Sequence, residues 1–299
     1  MGVLRPSYQA GTWFPGTAAE LRAEVDSLLE SAETFPGTVK AIAVPHAAFV
    51  YSGSTAAVGY KQMQALQRRV KRVLLLAPWH QEGFGLLLPP EEFTAFGTPI
   101  VLRALLSTGL YDTVAAAAEK DEHSIALQIP FLKTVLPEGT LLVPVYVGRL
   151  FKEDLSMYAE TLVPFFMDPD TVFVISTDWS HWGPRSNYSY LPENVDKSLP
   201  LYKKIQALDR EAIDCVVNLN GSCLEEHVAK THNRICGYDA LLLFLRLLER
   251  VAESSGQRAE DLFSASLLAY SQSSPIRSAS ENAVGYAAIG FYSAEEMNK

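Results

Sequence analysis

The chain has 299 residues, 48% of them hydrophobic, which is enough apolar material to bury a large core. Its 34 acidic residues outnumber its 25 basic residues, and the net charge of −9 argues against nucleic acid as a partner, because phosphate-backbone binding needs clustered cations. No apolar run is long enough to predict a membrane span. We therefore expect a single domain over residues 1–299, with no nucleic-acid partner and no membrane span.

The cysteines and the first residues bear on the cellular compartment. Residues 1–8 lack the apolar segment of a signal peptide. Cys215, Cys223 and Cys236 are a poor disulfide framework for a chain of this length and suit a reducing compartment. We predict a cytoplasmic protein, with the nucleus as a second compartment, and expect Cys215 and Cys223 to be buried, inert thiols.

The first part of the chain predicts a strand–helix–strand unit behind an N-terminal helix. Thr17 and Glu20 form a capping-box pattern in front of a helical stripe at 21–31. Two short apolar runs typical of buried strands follow, separated by a helical pattern. These three elements lie, in order, at residues 40–44, 54–66 and 72–77. Their order indicates a parallel crossover.

The rest of the chain alternates strand and helix patterns after a stretch rich in Gly and Pro. Residues 82–102 are predicted as loops with short extended pieces. A helix is expected near 112–120, and another from Ser124 that is kinked or ended near Pro130. Strands are predicted at 141–147, 171–176, 263–270 and 285–291, and helices at 155–166, 202–217 and 237–253. The alternation predicts an α/β fold.

Three histidines stand just past apolar runs that have strand patterns. His46 and His80 each follow such a run, and His181 comes three residues after Asp178, beyond a third run. Because the carboxyl ends of parallel strands open onto one crevice, these side chains can converge. Neutral imidazoles together with a carboxylate are typical of a metal site.

Each of these residues also has a purely structural interpretation. A lone buried histidine is more often a core residue whose ring nitrogens bond to the backbone, and Asp178 can simply cap a helix. The repetition of the pattern after three strands favours the functional interpretation of the set.

Two further residues have open interpretations. Cys236 directly precedes an apolar helix, whose dipole favours the thiolate form needed for a metal ligand or a nucleophile; a buried, inert thiol is the alternative. His123 follows Asp121 and Glu122 and precedes a predicted helix, so it is either a general acid–base or part of a charged helix start.

Several common site signatures are absent from the sequence. There is no G-x-S-x-G elbow and no phosphate-binding G-x-x-x-x-G-K-[ST] motif, and Gly83-Phe-Gly85 does not continue as a dinucleotide fingerprint. Serine hydrolysis and nucleotide binding are therefore not supported.

Six short motifs carry a family resemblance. They are P-H-A-A-F-V-Y-S-G, A-P-W-H, D-E-H-S-I, S-T-D-W-S-H-W-G, H-N-R-I-C-G and Y-S-Q-S-S. In this order, from about Ala10 to Phe291, they resemble the Memo family, which is similar to the class III extradiol dioxygenases, a group of non-haem iron enzymes. The resemblance implies a three-layer α/β fold with a central, largely parallel or mixed sheet.

The resemblance also implies a ligand set. His46, His80 and Cys236 match the metal positions, with the cysteine in place of the dioxygenase carboxylate. A thiolate softens the site toward copper or zinc. The implied ion is iron or copper, with zinc as a further candidate.

Other pocket residues follow from the same resemblance. Asp178 and His181 are implied as catalytic neighbours of the ion. Trp13, Tyr51 and His123 are implied to line a pocket for a small-molecule substrate or a peptide.

Two functions follow from the resemblance. The first is a redox-active, dioxygenase-like metal site linked to metal homeostasis, oxidant signalling and cell motility. The alternative is a signalling adaptor that binds phosphotyrosine peptides in the same pocket without catalysis; a zinc hydrolase is a third interpretation. The sequence leaves open whether the site catalyses a reaction.

The chain departs from the family pattern around the pocket. Ala48, Trp79, Gln81, Ala126 and Tyr238 stand where relatives commonly have other residues. Because the implied ligands are retained, metal chemistry carries over more directly than a preference for a substrate or peptide.

Overall fold

A computed structural model describes residues 6–66, 70–90 and 99–294 of the chain. The helices are α1 Ala18–Ser31, α2 Phe49–Met63, α3 Pro99–Leu106, α4 Ala116–Glu119, α5 Ile129–Val135, α6 Leu155–Met167, α7 Leu201–Val217, α8 Gly221–Thr231, α9 Tyr238–Ser254 and α10 Ala259–Leu262. The strands are β1 Val39–Val44, β2 Arg72–Pro78, β3 Leu86–Leu88, β4 Tyr111–Thr113, β5 Leu141–Val147, β6 Thr171–Ser176, β7 His181–Trp182, β8 Phe263–Gln272 and β9 Ala283–Ser293.

The strands form one mixed sheet around a parallel centre. Its order is β4-β3-β5-β2-β6-β1-β9-β7, with β8 paired to β9. The central strands β5, β2, β6 and β1 run parallel, whereas β3 and β9 pair antiparallel to the strands next to them in this centre. Strands β1 and β2 are both parallel to β6, which lies between them, so the predicted parallel crossover is confirmed.

Helices cover both faces of the sheet, and alternation along each strand assigns its residues to them. In β1, Ala41 and Ala43 pack in a core with α6 and α9, whereas Ile42 and Val44 pack on the opposite face with α1, α2 and α5. Both cores consist largely of aliphatic and aromatic side chains. The predicted three-layer α/β fold is confirmed.

The predicted N-terminal cap is also present. The Thr17 hydroxyl accepts a hydrogen bond from the backbone N–H of Glu20 at 3.3 Å and donates one to the Glu20 carboxylate at 2.6 Å. These bonds satisfy an otherwise free N–H at the start of α1 and place an acidic group near the positive end of the helix.

The helix expected from Ser124 begins later than predicted. Residues 123–128 form turns, and α5 starts at Ile129 with Pro130 in its first turn. Proline suits this position because the first helical N–H groups have no intrahelical partner. The sequence analysis predicted a helix that is kinked or ended near Pro130, and that prediction is wrong because Pro130 lies at the start of α5.

Three of the described helices were not predicted, namely α3, α8 and the short α10. Helix α3 begins inside the stretch predicted as loops, of which residues 91–98 lie outside the described residues. Helix α8 lies in a stretch too polar to give a helical pattern, and Asn220 caps it by accepting a hydrogen bond from Cys223 N at 2.9 Å.

The expectation of two inert thiols at Cys215 and Cys223 is wrong, because the structure joins them in a disulfide. Cys215 lies in the last turn of α7 and Cys223 in the first turn of α8. The short connection between the helices brings their Cα atoms to 5.4 Å, a separation that suits the bond.

Helix α9 contributes ten buried residues to the apolar core on one face of the sheet. Its polar side carries Arg246, whose guanidinium lies 2.8 Å from Glu249 and 3.0 Å from Glu253. A search of the described residues found no helix with both the length and the apolar character needed to cross a bilayer.

The contact between α2 and β1 requires a glycine, which gives a first prediction. A Cβ atom on Gly59 would lie 2.4 Å from Val44 Cγ1. Overpacking of this kind costs about 1–3 kcal/mol, whereas replacing a helical glycine with alanine gains at most about 1 kcal/mol. We expect Gly59→Ala to lower the free energy of unfolding by about 1–2 kcal/mol, measured by urea denaturation.

Gly221→Ala is the matched control, because the nearest atoms to its added Cβ lie 3.9 Å away. We expect this variant to match or slightly exceed the wild-type stability. Equal losses in the two variants would contradict the packing argument.

Candidate metal centre

The site lies where the parallel strands end. His46 follows β1, His80 follows β2, and β6 between them ends at Ser176. The two imidazole rings meet above that strand, with centroids 5.2 Å apart and planes at 77°. The convergence expected from the sequence therefore occurs for these two histidines.

Cys236 reaches the same point from the helical layer that contains α9. It directly precedes α9, and the next residue, Gly237, donates its N–H to Thr177 Oγ1 at 3.1 Å. A Cβ on Gly237 would lie only 2.4 Å from Thr177 Cβ, so glycine allows this close approach. Cys236 Sγ consequently lies 3.2 Å from His46 Nε2.

Among the residues that the structure describes, three overlapping groups can hold a metal ion, and His46, His80 and Cys236 form one of them. Within each group the donor atoms all lie within 4.8 Å of one another. The groups are His46, His80 and Cys236; His80, Glu122 and His123; and Asp178, His181 and Cys236.

The spacing of the first group fits a shared ion. Bonds of about 2.1 Å to nitrogen and about 2.3 Å to sulfur place those two atoms about 3.1 Å apart at a right angle and about 3.6 Å apart at a tetrahedral angle. The observed 3.2 Å between His46 Nε2 and Cys236 Sγ is in this range. Imidazole and thiol donors together suit iron, copper and zinc.

His46 is held as a neutral imidazole. The side chain is 1% exposed, and burial, followed by the nearby His80, His123 and His181, lowers its pKa well below the usual value. A neutral ring keeps one nitrogen lone pair for a ligand bond. Its Nδ1 lies 2.8 Å from Ser176 Oγ.

Glu122 anchors the second histidine. Its carboxylate lies 2.9 Å from His80 Nδ1 and accepts hydrogen bonds from the backbone N–H groups of His80, His123 and Ser124, each at 2.8 Å. Burial alone would raise its pKa, but the bonds and charge interaction with His80 and the bond from Ser124 lower it to about 2.

The pKa of the Cys236 thiol does not follow the expectation that the helix dipole favours the thiolate form. Burial, and then the neighbouring Asp178 carboxyl, raise its pKa well above the usual value, and the hydrogen bonds from Asp178, Thr177 and Gly237 only partly oppose this. The helix dipole therefore does not make it a thiolate by itself. A bound metal ion deprotonates a coordinating thiol directly.

Asp178 supports the loop that carries His46. Its Oδ1 accepts a hydrogen bond from His46 N at 2.9 Å, and its own N–H points to Cys236 Sγ at 3.0 Å. Burial raises the pKa of this carboxyl to about 7, against the opposing effect of the bond from His46. Asp178 thus connects His46 to Cys236 through hydrogen bonds.

His181 lies in β7 at the edge of the site. Its Nε2 atom is buried and has no hydrogen-bond partner among the described residues. Burial, followed by the charges of His80 and the exposed Arg234, lowers its pKa to about 4. The ring is therefore neutral at physiological pH.

Aromatic rings form one wall of the site. His123 stacks on His80 with centroids 4.5 Å apart, and Trp13 lies against the other side of His123 at 4.4 Å. Tyr51, in the first turn of α2, is 54% exposed. It lies near enough to the buried Tyr286 to affect the pKa of that hydroxyl.

The sequence analysis missed several residues that hold this geometry. Ser176 and Gln128 contact each other and position His46, and Glu122 was assigned only to a charged helix start. Ser176 had a usable signal, because it is the last residue of a strand that ends at the crevice. Gln128 had none, since its contact depends on turns that the sequence did not predict.

A buried acid supports the loop between β6 and β7. Asp209 in α7 accepts hydrogen bonds from Ser180 N at 2.9 Å and from the Tyr270 hydroxyl at 2.8 Å. Burial raises its pKa to about 6, although these bonds act in the opposite direction. The loop that carries Asp178 and leads to His181 in β7 is therefore tied to the core.

Comparison with known proteins identifies the family. A family model described as "Memo-like protein" matches residues 5–290. The chain belongs to the Memo family. Protein MEMO1 of Danio rerio is 31% identical over 298 residues, covering 96% of each chain. The Caenorhabditis elegans protein memo-1 homolog is 31% identical over 291 residues, 95% of this chain and 81% of its own. Human Protein MEMO1 is 27% identical over 297 residues, 96% of each.

The family match confirms the resemblance drawn from the short motifs. It spans the whole site, from Trp13 to Cys236. In this Memo-family chain the candidate ligands, the neighbouring Asp178 and His181, and the Trp13–His123 wall lie around one crevice.

The raised pKa of Asp209 gives a prediction for stability. In an unfolded chain an aspartate has a pKa of about 3.9, so the folded protein binds this proton more tightly. The contribution of Asp209 to the free energy of unfolding is then greatest below about pH 4, falls as the pH rises to about 6, and is constant above that. As the pH rises across this range, we expect the free energy of unfolding of wild type to fall by about 2–3 kcal/mol relative to that of Asp209→Asn.

Urea denaturation at several pH values measures this difference. The comparison cancels the titration of all other groups, because both proteins share them. A difference between the two proteins that stays constant with pH would contradict the raised pKa.

Proposed function

We propose that this Memo-family protein binds one metal ion through His46, His80 and Cys236. The observation that carries the proposal is the spacing of the three donors, which lie within 4.8 Å of one another at the ends of two parallel strands and one helix. The neutral His46 ring at the end of β1 is prepared for ligation without the cost of losing a proton.

The proposed ion is iron or copper, with zinc as a weaker candidate. One thiolate and two imidazoles suit all three ions, and three protein ligands leave coordination positions open. Bound iron or copper would supply one-electron chemistry with oxygen. The proposed activity is therefore that of a metal-dependent oxidoreductase.

Asp178 and His181 are proposed as groups that move protons beside the ion. A carboxyl with a pKa of about 7 exchanges a proton readily near neutral pH. His181 offers a neutral ring whose buried Nε2 is free to bond with a substrate. The Trp13 and His123 rings would hold an apolar part of that substrate.

Phosphotyrosine-peptide binding in the same crevice is the second candidate. One observation favours it: the exposed Arg234 lies close enough to His181 to lower the pKa of that ring, so a cation stands at the pocket edge. Arginine is the usual partner of phosphate. The exposed Tyr51 would then contact the peptide.

The proposed cellular setting follows from the family resemblance. It comprises metal homeostasis, oxidant signalling and cell motility, in the cytoplasm and nucleus. Reporters of oxidant production in cells that carry Cys236→Ser in place of the wild-type chain would test this setting.

Removing one ligand should remove the ion. We expect wild type to bind about one Fe(II) or Cu(I) per chain in anaerobic titrations, and His46→Asn, His80→Asn and Cys236→Ser each to weaken binding by at least about 100-fold. Elemental analysis of protein purified without a metal-binding tag identifies the ion.

His232→Asn is the matched control, because this histidine is exposed at the end of α8 in a left-handed conformation that asparagine tolerates. It should bind metal as wild type does. Unchanged affinity in all three ligand variants would exclude the site.

Oxygen consumption separates the two candidate functions. With iron or copper bound and ascorbate added to supply the electrons that reduce oxygen, we expect oxygen consumption that Cys236→Ser abolishes and Arg234→Ala leaves largely intact. The adaptor function predicts the reverse: no turnover, and phosphotyrosine-peptide binding that Arg234→Ala weakens. An oxygen electrode and fluorescence anisotropy of a labelled phosphopeptide measure the two outcomes.

A further inference from the structure

The hydrogen bonds of Ser176 determine which nitrogen of His46 carries the proton. Ser176 Oγ lies 2.8 Å from each of three groups: the Ser124 carbonyl, the Gln128 amide nitrogen and His46 Nδ1. A hydroxyl has one hydrogen to donate and two lone pairs that accept. The Ser124 carbonyl can only accept, so it takes the single hydrogen.

The Gln128 amide orientation is fixed by its other contacts. Its Nε2 lies 3.0 Å from the Pro45 carbonyl, which requires a donor, and its Oε1 accepts a hydrogen bond from the Tyr60 hydroxyl at 2.8 Å. Gln128 Nε2 therefore also donates to Ser176 Oγ. This bond uses one of the two serine lone pairs.

Only an accepting position remains at Ser176 for His46. His46 Nδ1 must then carry the hydrogen, and His46 Nε2 keeps its lone pair. That lone pair lies on the side of Cys236 Sγ, at 3.2 Å. The ring thus presents its free nitrogen to the proposed ion.

His80 is held in the same tautomer by a different group. Both oxygens of the Glu122 carboxyl act as acceptors, Oε1 from the backbone N–H groups of His123 and Ser124 and Oε2 from that of His80. Its Oε1 lies 2.9 Å from His80 Nδ1, so this nitrogen carries the hydrogen as well. In the neutral form of this ring, His80 Nε2 keeps the lone pair.

We propose that residues 122–128 are a positioning segment that fixes both histidines as Nδ1–H tautomers before metal arrives. The segment supplies Glu122 to His80, and Ser124 and Gln128 to the hydroxyl that holds His46. Its effect on affinity rests on the proposed metal function, whereas the tautomers themselves are properties of the metal-free protein. Hydrogen-bonded partners of this kind orient histidine ligands and raise their basicity.

Nitrogen NMR of the metal-free protein tests the proposal directly. Two-bond ¹H–¹⁵N correlations distinguish the tautomers, and the signals of the six histidines are assigned by their loss in His→Asn variants. We expect Nδ1–H patterns for His46 and His80 at neutral pH. An Nε2–H pattern at either residue would overturn the proposal. This reading comes from the wild-type spectrum, so it does not depend on whether a variant folds.

Ser176→Ala then tests the origin of the His46 tautomer. We expect the His46 pattern to shift away from pure Nδ1–H while His80 keeps its pattern, and metal affinity to fall about 10–100-fold. Ser180→Ala is the matched control, because this serine is also fully buried beside the site and its hydroxyl has no partner among the described residues.

Three results separate this proposal from the metal site itself. Ser176→Ala with an unchanged His46 pattern would overturn the positioning role. A shifted pattern with unchanged metal affinity would overturn the claim that the tautomer matters for binding. Absence of metal binding in wild type, with both Nδ1–H patterns present, would overturn the proposed function and leave the tautomer assignment standing.

Discussion

The aligned ends of three parallel strands are the constraint on which the site depends. Val44 of β1 pairs with Ser176 of β6, and Leu76 of β2 pairs with Ile175, so the strands finish at the same edge of the sheet. His46 and His80 can therefore meet without long loops. A shift of one residue in either pairing would turn every side chain of that strand to the other face. The same register thus fixes both the two cores and the crevice.

Burial determines the charge state of the crevice. It keeps His46, His123 and His181 neutral, raises the pKa of the Cys236 thiol, and leaves Glu122 charged only because several N–H groups converge on it. A pocket of imidazole and thiol donors with one supporting carboxylate suits a metal ion better than a phosphate group, because these donors offer lone pairs to a cation. This balance is the physical reason for preferring the metal function to the adaptor function.

The sequence predicted most of the elements that carry strong periodicity, and the histidines after the strands followed from that pattern. The position of Cys236 before α9 left a metal ligand and an inert thiol equally open, and only the family resemblance joined it to the two histidines as a ligand set. Gln128 and the role of Glu122 depend on turns at 123–128, where local bonds and the contact of Ser124 with Pro78 replace a helix. The disulfide between α7 and α8 could not be predicted from the sequence either, because it requires helix α8, which is too polar to show a hydropathy pattern. Long-range contacts, rather than local preference, decide these features.

Cys236, the third candidate donor, is attached to the start of helix α9. Most of its residues from Ala240 to Ala252 are buried against the sheet and α6, and Gly237 holds its first turn against Thr177. Cys236 therefore moves with a helix packed into the core and not with a surface loop. Moving the Cys236 backbone away from an ion at the proposed site would require that helix to shift, which ties this movement to local opening of the core.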